Sequence, residues 1–563
     1  MRLSRISAGW GRLAAALLVL MLVVPSVVVA GGRAAAQEEK VLRIHHLVYP
    51  DDFDPQKSSF TNEIDVLALV YEGLVTLDAD LNAAPGAAES WAFNEAGDVL
   101  TFTLREGLTY SDGSPLTAEN FRYAIQRTCD PNTAGEYPSI LFDVKGCAEF
   151  ADLYNEEAAT PVSIDDADAY EAARAALGVV AIDDRTLEVT LNGPAPFWPY
   201  VAYTWVVYPV KQEIVEADPD GWWLEAANHI GNGPFKLTQI EEDQLMRFEA
   251  NESYWGGRPA VDAIEYVYQA ESGVALEAFR SGDLDIMQVD PSQIPAVRDD
   301  PVLGPQMIQY PGANTQNLQF NLTAEPFTDL NVRKAFSMAF DRQTYCEQIR
   351  NGDCLPTTIW IPEGVAGSVE SDAYGFDVAA AQAALAESSY GGPEGLPEIS
   401  YFFNSDDPAN TARAEFVAGM YRDNLGVELT LEPTEGKALV ALRKDPSTWP
   451  QMTFAGWFGD YPDPQNWLSI YWTCKGFAVD FSYCNPALDE ILTRADRELD
   501  QAARVPLYEE AHRLVIEDVP GPFLYHLANT FLVNPAVTGY EGKPVDAEWP
   551  GQYTSLLTID INR

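Results

Sequence analysis

Between Ala455 and Leu468 the chain reads AGWFGDYPDPQNWL, which sets the carboxylate of Asp460 among Trp457, Phe458, Tyr461 and Trp467. The strand-like Met452-Thr453-Phe454 leads into this stretch, and Pro462 and Pro464 break it. It therefore reads as a loop at a strand end, where α/β folds commonly place ligands. Trp457 and Tyr461 would wall a pocket beside the acid. Asp460 could equally cap its own turn before Tyr461-Pro462, and an aromatic is as readily core, so the residues alone leave both readings open.

Other chemistry finds less support. Neither G-x-S-x-G nor H-E-x-x-H occurs, and nothing singles out a glycosidase carboxylate pair among 85 acids. The five His are His45, His46, His229, His512 and His526, and adjacent residues on a strand point to opposite faces, so His45-His46 is a poor joint metal site. Gly231-Asn232-Gly233-Pro234 has neither P-loop nor dinucleotide spacing and reads as a tight turn into a strand. Tyr254-Trp255-Gly256-Gly257 reads as another turn with packed aromatics. No catalytic residue, metal or cofactor is expected.

The elements that must position Asp460 are of both kinds. Leu100, Phe102 and Leu104 alternate with Thr101, Thr103 and Arg105, the period of a half-buried strand, and Thr186 to Leu191 repeats it. Thr328 is a good N-cap, after which Val332, Ala335, Phe336, Ala339 and Phe340 line one helical face. Val378 to Ala386, Ala412 to Asn424 and Gln501 to Ile516 read as further helices. Two extended runs, Thr315 to Leu322 after Tyr310-Pro311-Gly312-Ala313 and Phe523 to Leu532, suggest chain crossings near Gly312 and His526. The fold class is mixed α/β. About 527 residues follow residue 36, more than one core supports, so at least two lobes are expected.

Residues 1–36 carry Arg2, Arg5 and Arg12, an apolar run Leu13 to Ala30 and then Ala34-Ala35-Ala36, the plan of a secretory signal peptide. The protein is thus expected outside the cytoplasm, in the periplasm or on the outer face of the membrane. An uncleaved anchor is the alternative. The first cysteine is Cys129, so no lipid-attachment Cys stands near that site. The formal charge of −50 becomes −54 once this segment, with four Arg and no acid, is removed. Such a charge repels nucleic acid and anionic membranes. In an exported chain the six cysteines suggest nearest-neighbour disulfides: Cys129 with Cys147, Cys346 with Cys354, and Cys474 with Cys484, each stapling a surface loop.

Three separated segments carry a family resemblance: Ser90 to Phe121, SWAFNEAGDVLTFTLREGLTYSDGSPLTAENF; Gly231 to Tyr268, GNGPFKLTQIEEDQLMRFEANESYWGGRPAVDAIEYVY; and Ala455 to Leu468. In order and spacing they resemble the family 5 extracellular solute-binding proteins, the oligopeptide, dipeptide and nickel receptors of ABC transporters. The resemblance implies a two-lobed fold of the type II periplasmic-binding-protein kind, with a hinge and an extra subdomain in the first lobe. Expected boundaries are 1–36 signal, 37–311 lobe I with the subdomain near 75–195, 312–526 lobe II, and 527–563 returning to lobe I. It implies a monomer that captures a peptide or other small solute, closes over it and passes it to membrane permease subunits.

In peptide-binding members the acid matching Asp460 holds the ligand's α-ammonium group, and Tyr49 and Asn404 stand where other members contribute contacts. Dipeptide receptors carry an Arg after the strand matching Ile399 to Phe403, where this chain has Asn404-Ser405-Asp406-Asp407-Pro408. A longer peptide, or a ligand without a carboxylate, therefore fits better than strict dipeptide capture. A receptor for a metal chelate or oligosaccharide, and then a secreted hydrolase, are the alternatives.

Overall fold

The alternating run forms a strand, Val99–Leu104, in which Leu100, Phe102 and Leu104 are fully buried. It pairs antiparallel with Ala88–Phe93 and with Thr186–Thr190, and Val179–Ala181 closes this four-stranded sheet. The structure is a computed structural model that describes residues 39–155, 160–161, 167–406, 408–443 and 448–563. The expected signal segment, 1–36, lies outside the described residues. Among the described residues no helix is long and apolar enough to cross a membrane.

A second sheet of twelve strands organises the rest. Its order is Phe235–Glu241, Leu245–Ala250, Ala263–Tyr268, Val41–His46, Ile286–Gln288, Phe523–Val533, Asn314–Phe320, Met452–Phe458, Ile399–Asn404 and Leu429–Thr434. Strand Phe523–Val533 belongs to both halves. Its Phe531, Leu532 and Val533 pair with Gln288, Met287 and Ile286, and Ala528 to Leu532 also face Met307–Pro311. Its earlier residues pair the other way: Tyr525 and Phe523 with Gln316 and Asn317, and Leu527 to Tyr525 with Cys354–Pro356. The chain passes between halves at Gly312-Ala313 and at Leu527-Ala528.

Each half has its own apolar filling. On the first side Leu42, Ile44, Phe248 and Tyr266 join the residues of the four-stranded sheet in one core. On the second, one core is built on Phe320, Phe336 and Tyr421 and another on Trp360, Trp467 and Trp472. Helix Leu330–Met338 supplies Val332, Ala335 and Phe336 of the predicted face, and Ala339 and Phe340 follow just past its end, all five fully buried. Its cap is Asp329 rather than Thr328: the Asp329 carboxylate accepts from the Asn331 N–H, while the Thr328 hydroxyl donates to Glu325. Helices Val378–Glu387, Pro408–Leu425 and Gln501–Asp518 cover the other expected segments, the second starting four residues earlier than its sequence pattern.

All three expected disulfides are present. They are not all surface staples, since Cys129 and Cys147 are fully buried and join two helices of the first half. The glycines of Gly231-Asn232-Gly233 have a packing reason as well as a turn. A Cβ on Gly231 would stand 2.0 Å from the Val70 carbonyl oxygen, and one on Gly233 2.6 Å from the Val70 carbonyl carbon, so this turn passes against the end of helix Thr61–Val70 with no room for a side chain.

Candidate functional site

A cleft of about 540 Å³ opens where the two halves meet, inside the roughly 300–1,000 Å³ span of small-ligand sites. The crossing residues Gly312, Ala313 and Asn314, and Leu527 to Thr530, form its floor. That floor is stitched by Asn314, whose Oδ1 accepts from the Leu527 N–H at 2.8 Å. One wall comes from His45, Ser59, Thr61, Trp205, Asp290 and Glu548, the other from Phe458, Gly459 and Asp460.

Asp460 follows the strand Met452–Phe458 and precedes helix Pro464–Trp472, which Asp463 caps by accepting from the Gln465 N–H. Its own carboxylate is held from both sides. Tyr137 donates its hydroxyl to Oδ1 at 2.8 Å, and Asn466 donates Nδ2 to Oδ2 at 2.7 Å. Tyr137 belongs to the first half and Asp460 to the second, so this bond spans the cleft. Burial pushes the Asp460 carboxyl above the usual range, against the pull of these two donors.

The other sequence-predicted residues are spread out. Trp457 packs on Tyr471 and Phe477, with ring centroids 5.3 Å away in each case, and donates Nε1 to Asn466 at 3.2 Å. It is the next residue, Phe458, on the opposite face of the strand, that lines the cleft, 62% exposed. Tyr461 is buried in the first half's core, stacked with Phe197 and donating to Gln465 at 2.6 Å. Tyr49 is half-buried, edge-on to Tyr268 at 4.9 Å. Asn404 ends the strand beside and parallel to Met452–Phe458, so it lies at the same end of the sheet as Asp460, and its Oδ1 accepts from the Asp406 N–H. Of the five, Asp460 alone is among the cleft-lining residues named by the structure.

Behind the opposite wall lies a buried ionisable group that sequence reading missed. His46 stands 3.3 Å from Asp65 and 3.7 Å from Glu548, and Asp65 accepts from the Tyr266 hydroxyl and the Trp549 Nε1. Burial pushes Asp65 up to about 7 despite His46. Burial also opposes ionisation of Glu548, but His46 and the Thr61 hydroxyl outweigh it and leave that carboxyl below its ordinary range. At the floor, burial pushes Asp353 up to about 6; Arg350, 2.7 Å away, pulls it down and Asp290 adds to the upward push. Tyr137 and Glu548 could not be found by spacing, because Tyr137 is 323 residues from Asp460 and Glu548 lies some 500 residues from His46. Among the described residues no cluster of His, Cys, Asp and Glu has metal-binding geometry.

The model of the bacterial extracellular solute-binding proteins, family 5 Middle, matches residues 82–478. The chain belongs to that family. Among relatives of this family 5 protein is the periplasmic oligopeptide-binding protein OppA of Salmonella typhimurium, 30% identical over 515 residues, covering 88% of each chain. Among solved structures, the murein tripeptide-binding protein MppA in its unliganded open form superposes with a TM-score of 0.80 at 26% identity, covering 93% of this chain and 98% of that one. The Escherichia coli MppA structure, also 26% identical and covering 94% and 99%, superposes at 0.66. These neighbours are two-lobed periplasmic binding proteins, and the two halves of this family 5 protein are its lobes. At equal identity the chain superposes better on the open form than on the second MppA structure.

Proposed function

We propose that this family 5 protein is an extracytoplasmic receptor that captures oligopeptides between its lobes and hands them to the permease of an ABC transporter. The observation that carries the reading is the placement of Asp460: a carboxylate in the wall of an interlobe cleft, in a chain 30% identical to an oligopeptide-binding protein. Its lobes run over 37–311 and 312–526, with 527–563 returning to the first and the four-stranded sheet forming the inserted subdomain near 75–195. The strand crossings at Gly312-Ala313 and Leu527-Ala528 support this division and serve as the hinge.

Asp460 receives the peptide's α-ammonium group, a charge-assisted bond worth roughly 1.5–3 kcal/mol. The amine completes the set of donors that Tyr137 and Asn466 begin. Phe458 contributes apolar area, Trp457 holds Asn466 and the wall from behind, Tyr461 anchors the loop in the other lobe, and Tyr49 and Asn404, one in each lobe at or past the C-terminal end of a strand, add contacts to the ligand. Main-chain hydrogen bonds supply affinity with little side-chain discrimination. Residues 1–36 direct export, and the protein binds without transforming its ligand.

Native mass spectrometry of protein purified without refolding, with sequencing of whatever is released, tests the reading. A ladder of peptides is the expected result; a single sugar, metal chelate or other nonpeptide mass overturns it. Loss of a peptide from solution should stop at one equivalent per protein, whereas continued turnover would mark an enzyme.

A further inference from the structure

Two of the large apolar side chains that line the cleft stand mostly in the open: Leu47, 47% exposed, and Phe458, 62% exposed. Ile64, Trp205 and Tyr208, which line it too, are by contrast buried. Leu47 follows the strand Val41–His46 of the first lobe, and Phe458 ends the strand Met452–Phe458 of the second, so the two stand on opposite walls. A single apolar side chain on open surface needs no explanation. On the two walls of one ligand cleft, such side chains are area still to be removed from water when the lobes close.

The chain beside Phe458 points to what covers it. Gly459 separates Phe458 from Asp460, and a Cβ there would stand 2.7 Å from the Trp467 ring, so the wall between the Phe458 ring and the carboxylate is bare main chain that a ligand can approach closely. The Gly459 N–H donates to the Ala313 carbonyl at 2.9 Å, which ties this stretch to the cleft floor. Two residues of extended chain span about 7 Å. A peptide whose α-ammonium group sits at Asp460 therefore has its first or second side chain within reach of Phe458.

We propose that Phe458 and Leu47 set specificity by closing from opposite walls on a bulky aliphatic or aromatic side chain at the first or second position of the peptide. This deepens the peptide reading and rests on it. A peptide that carries such a side chain lets closure bury the ligand group and both walls together, whereas a polar one leaves them to be paired with a group that prefers water. The apolar side chain thereby favours the closed state, which is where selection is exercised.

Calorimetry with three tetrapeptides tests this: Leu-Leu-Ala-Ala, Asn-Asn-Ala-Ala, whose side chains are close to leucine in size, and Ala-Ala-Leu-Leu. The first is expected to bind about tenfold or more tightly than the second, with a more negative heat-capacity change, and more tightly than the third. The leucine-to-asparagine ratio should persist as salt rises and should fall in Phe458→Ala and in Leu47→Ala, both exposed positions at which folding is little disturbed. Equal affinity for the leucine and asparagine peptides overturns the proposal while leaving peptide capture standing. A ratio undiminished in both variants overturns the assignment to these two side chains, and so does a change in the unliganded protein's radius of gyration with the ratio intact, which would mean that the walls pack on each other rather than on the ligand. Failure of all three peptides to bind overturns peptide capture and the selectivity with it.

Discussion

Asp460 and Asp463 stand three residues apart and could hardly differ more in circumstance. Asp463 is 1% exposed and receives a bidentate pair from Arg504, itself fully buried, with Nη2 to Oδ1 at 2.7 Å and Nη1 to Oδ2 at 2.5 Å. Arg504 also donates to Tyr508, whose hydroxyl donates to Asp496. In the first lobe Asp54 and Arg127 repeat the arrangement, with Trp222 and Gln56 completing it. Such groups are closed in that they carry their own counter-charge, so the acid has no need of a cation from a ligand, even though the Arg504 Nε is left without a partner. Asp460 has neutral donors, Tyr137 and Asn466, and no cation. The difference teaches that an acid's partner, rather than its burial, separates structure from recognition here, because a buried charge without a counter-charge remains a demand that a ligand can meet.

The contrast can be broken most forcefully at the closed group. Arg504→Met should leave Asp463 buried and alone, costing about 3–5 kcal/mol, read as a fall in the denaturant midpoint. If stability held, the separation of roles would fail. Next in size, Asp460→Ala should weaken an amine-bearing peptide by about tenfold or more in calorimetry while moving the denaturant midpoint little; the reverse pattern would make Asp460 structural. A smaller effect lies in pH. The native Asp460 carboxyl ionises above its ordinary range, so its folded form gains proton affinity over the unfolded one. The unliganded protein therefore loses this contribution to stability as pH rises through that interval, whereas peptide affinity, which needs the carboxylate, rises over the same interval. Asp460→Asn should flatten both trends, stability by denaturation and affinity by calorimetry. Smallest of all, Arg422→Ala removes the exposed contact with Asp423 and should change stability by less than about 1 kcal/mol.

Much of the architecture was readable because it depends on local pattern. The period-2 run at Leu100 to Leu104 and the helical stripe from Val332 to Phe340 are set by residues a few positions apart, and the short cysteine separations left few geometries to choose among. Of the site, the segment around Asp460 was legible through its composition. Which of its aromatics faces the cleft was not, because the strand continues to Phe458, four residues beyond the expected Phe454, and that extension decides the faces of Trp457 and Phe458. Tyr137, Glu548 and Asp290 reach the cleft only through tertiary folding, and no local spacing announces them.

The strand Phe523–Val533 carries a further consequence, for the order in which the chain can be assembled. A polypeptide emerges from its N-terminus, and this strand lies interior to the large sheet yet comes after 522 other residues. Until it arrives, Ile286–Gln288 and Asn314–Phe320 each lack the neighbour that will join them, and both parts of the sheet present an open ladder of backbone groups. The last tenth of the chain is thus a keystone. A nascent protein halted shortly before Phe523 would hold two unfinished lobes with sticky edges, and neither lobe could be cut free and expressed alone without borrowing its half of this strand.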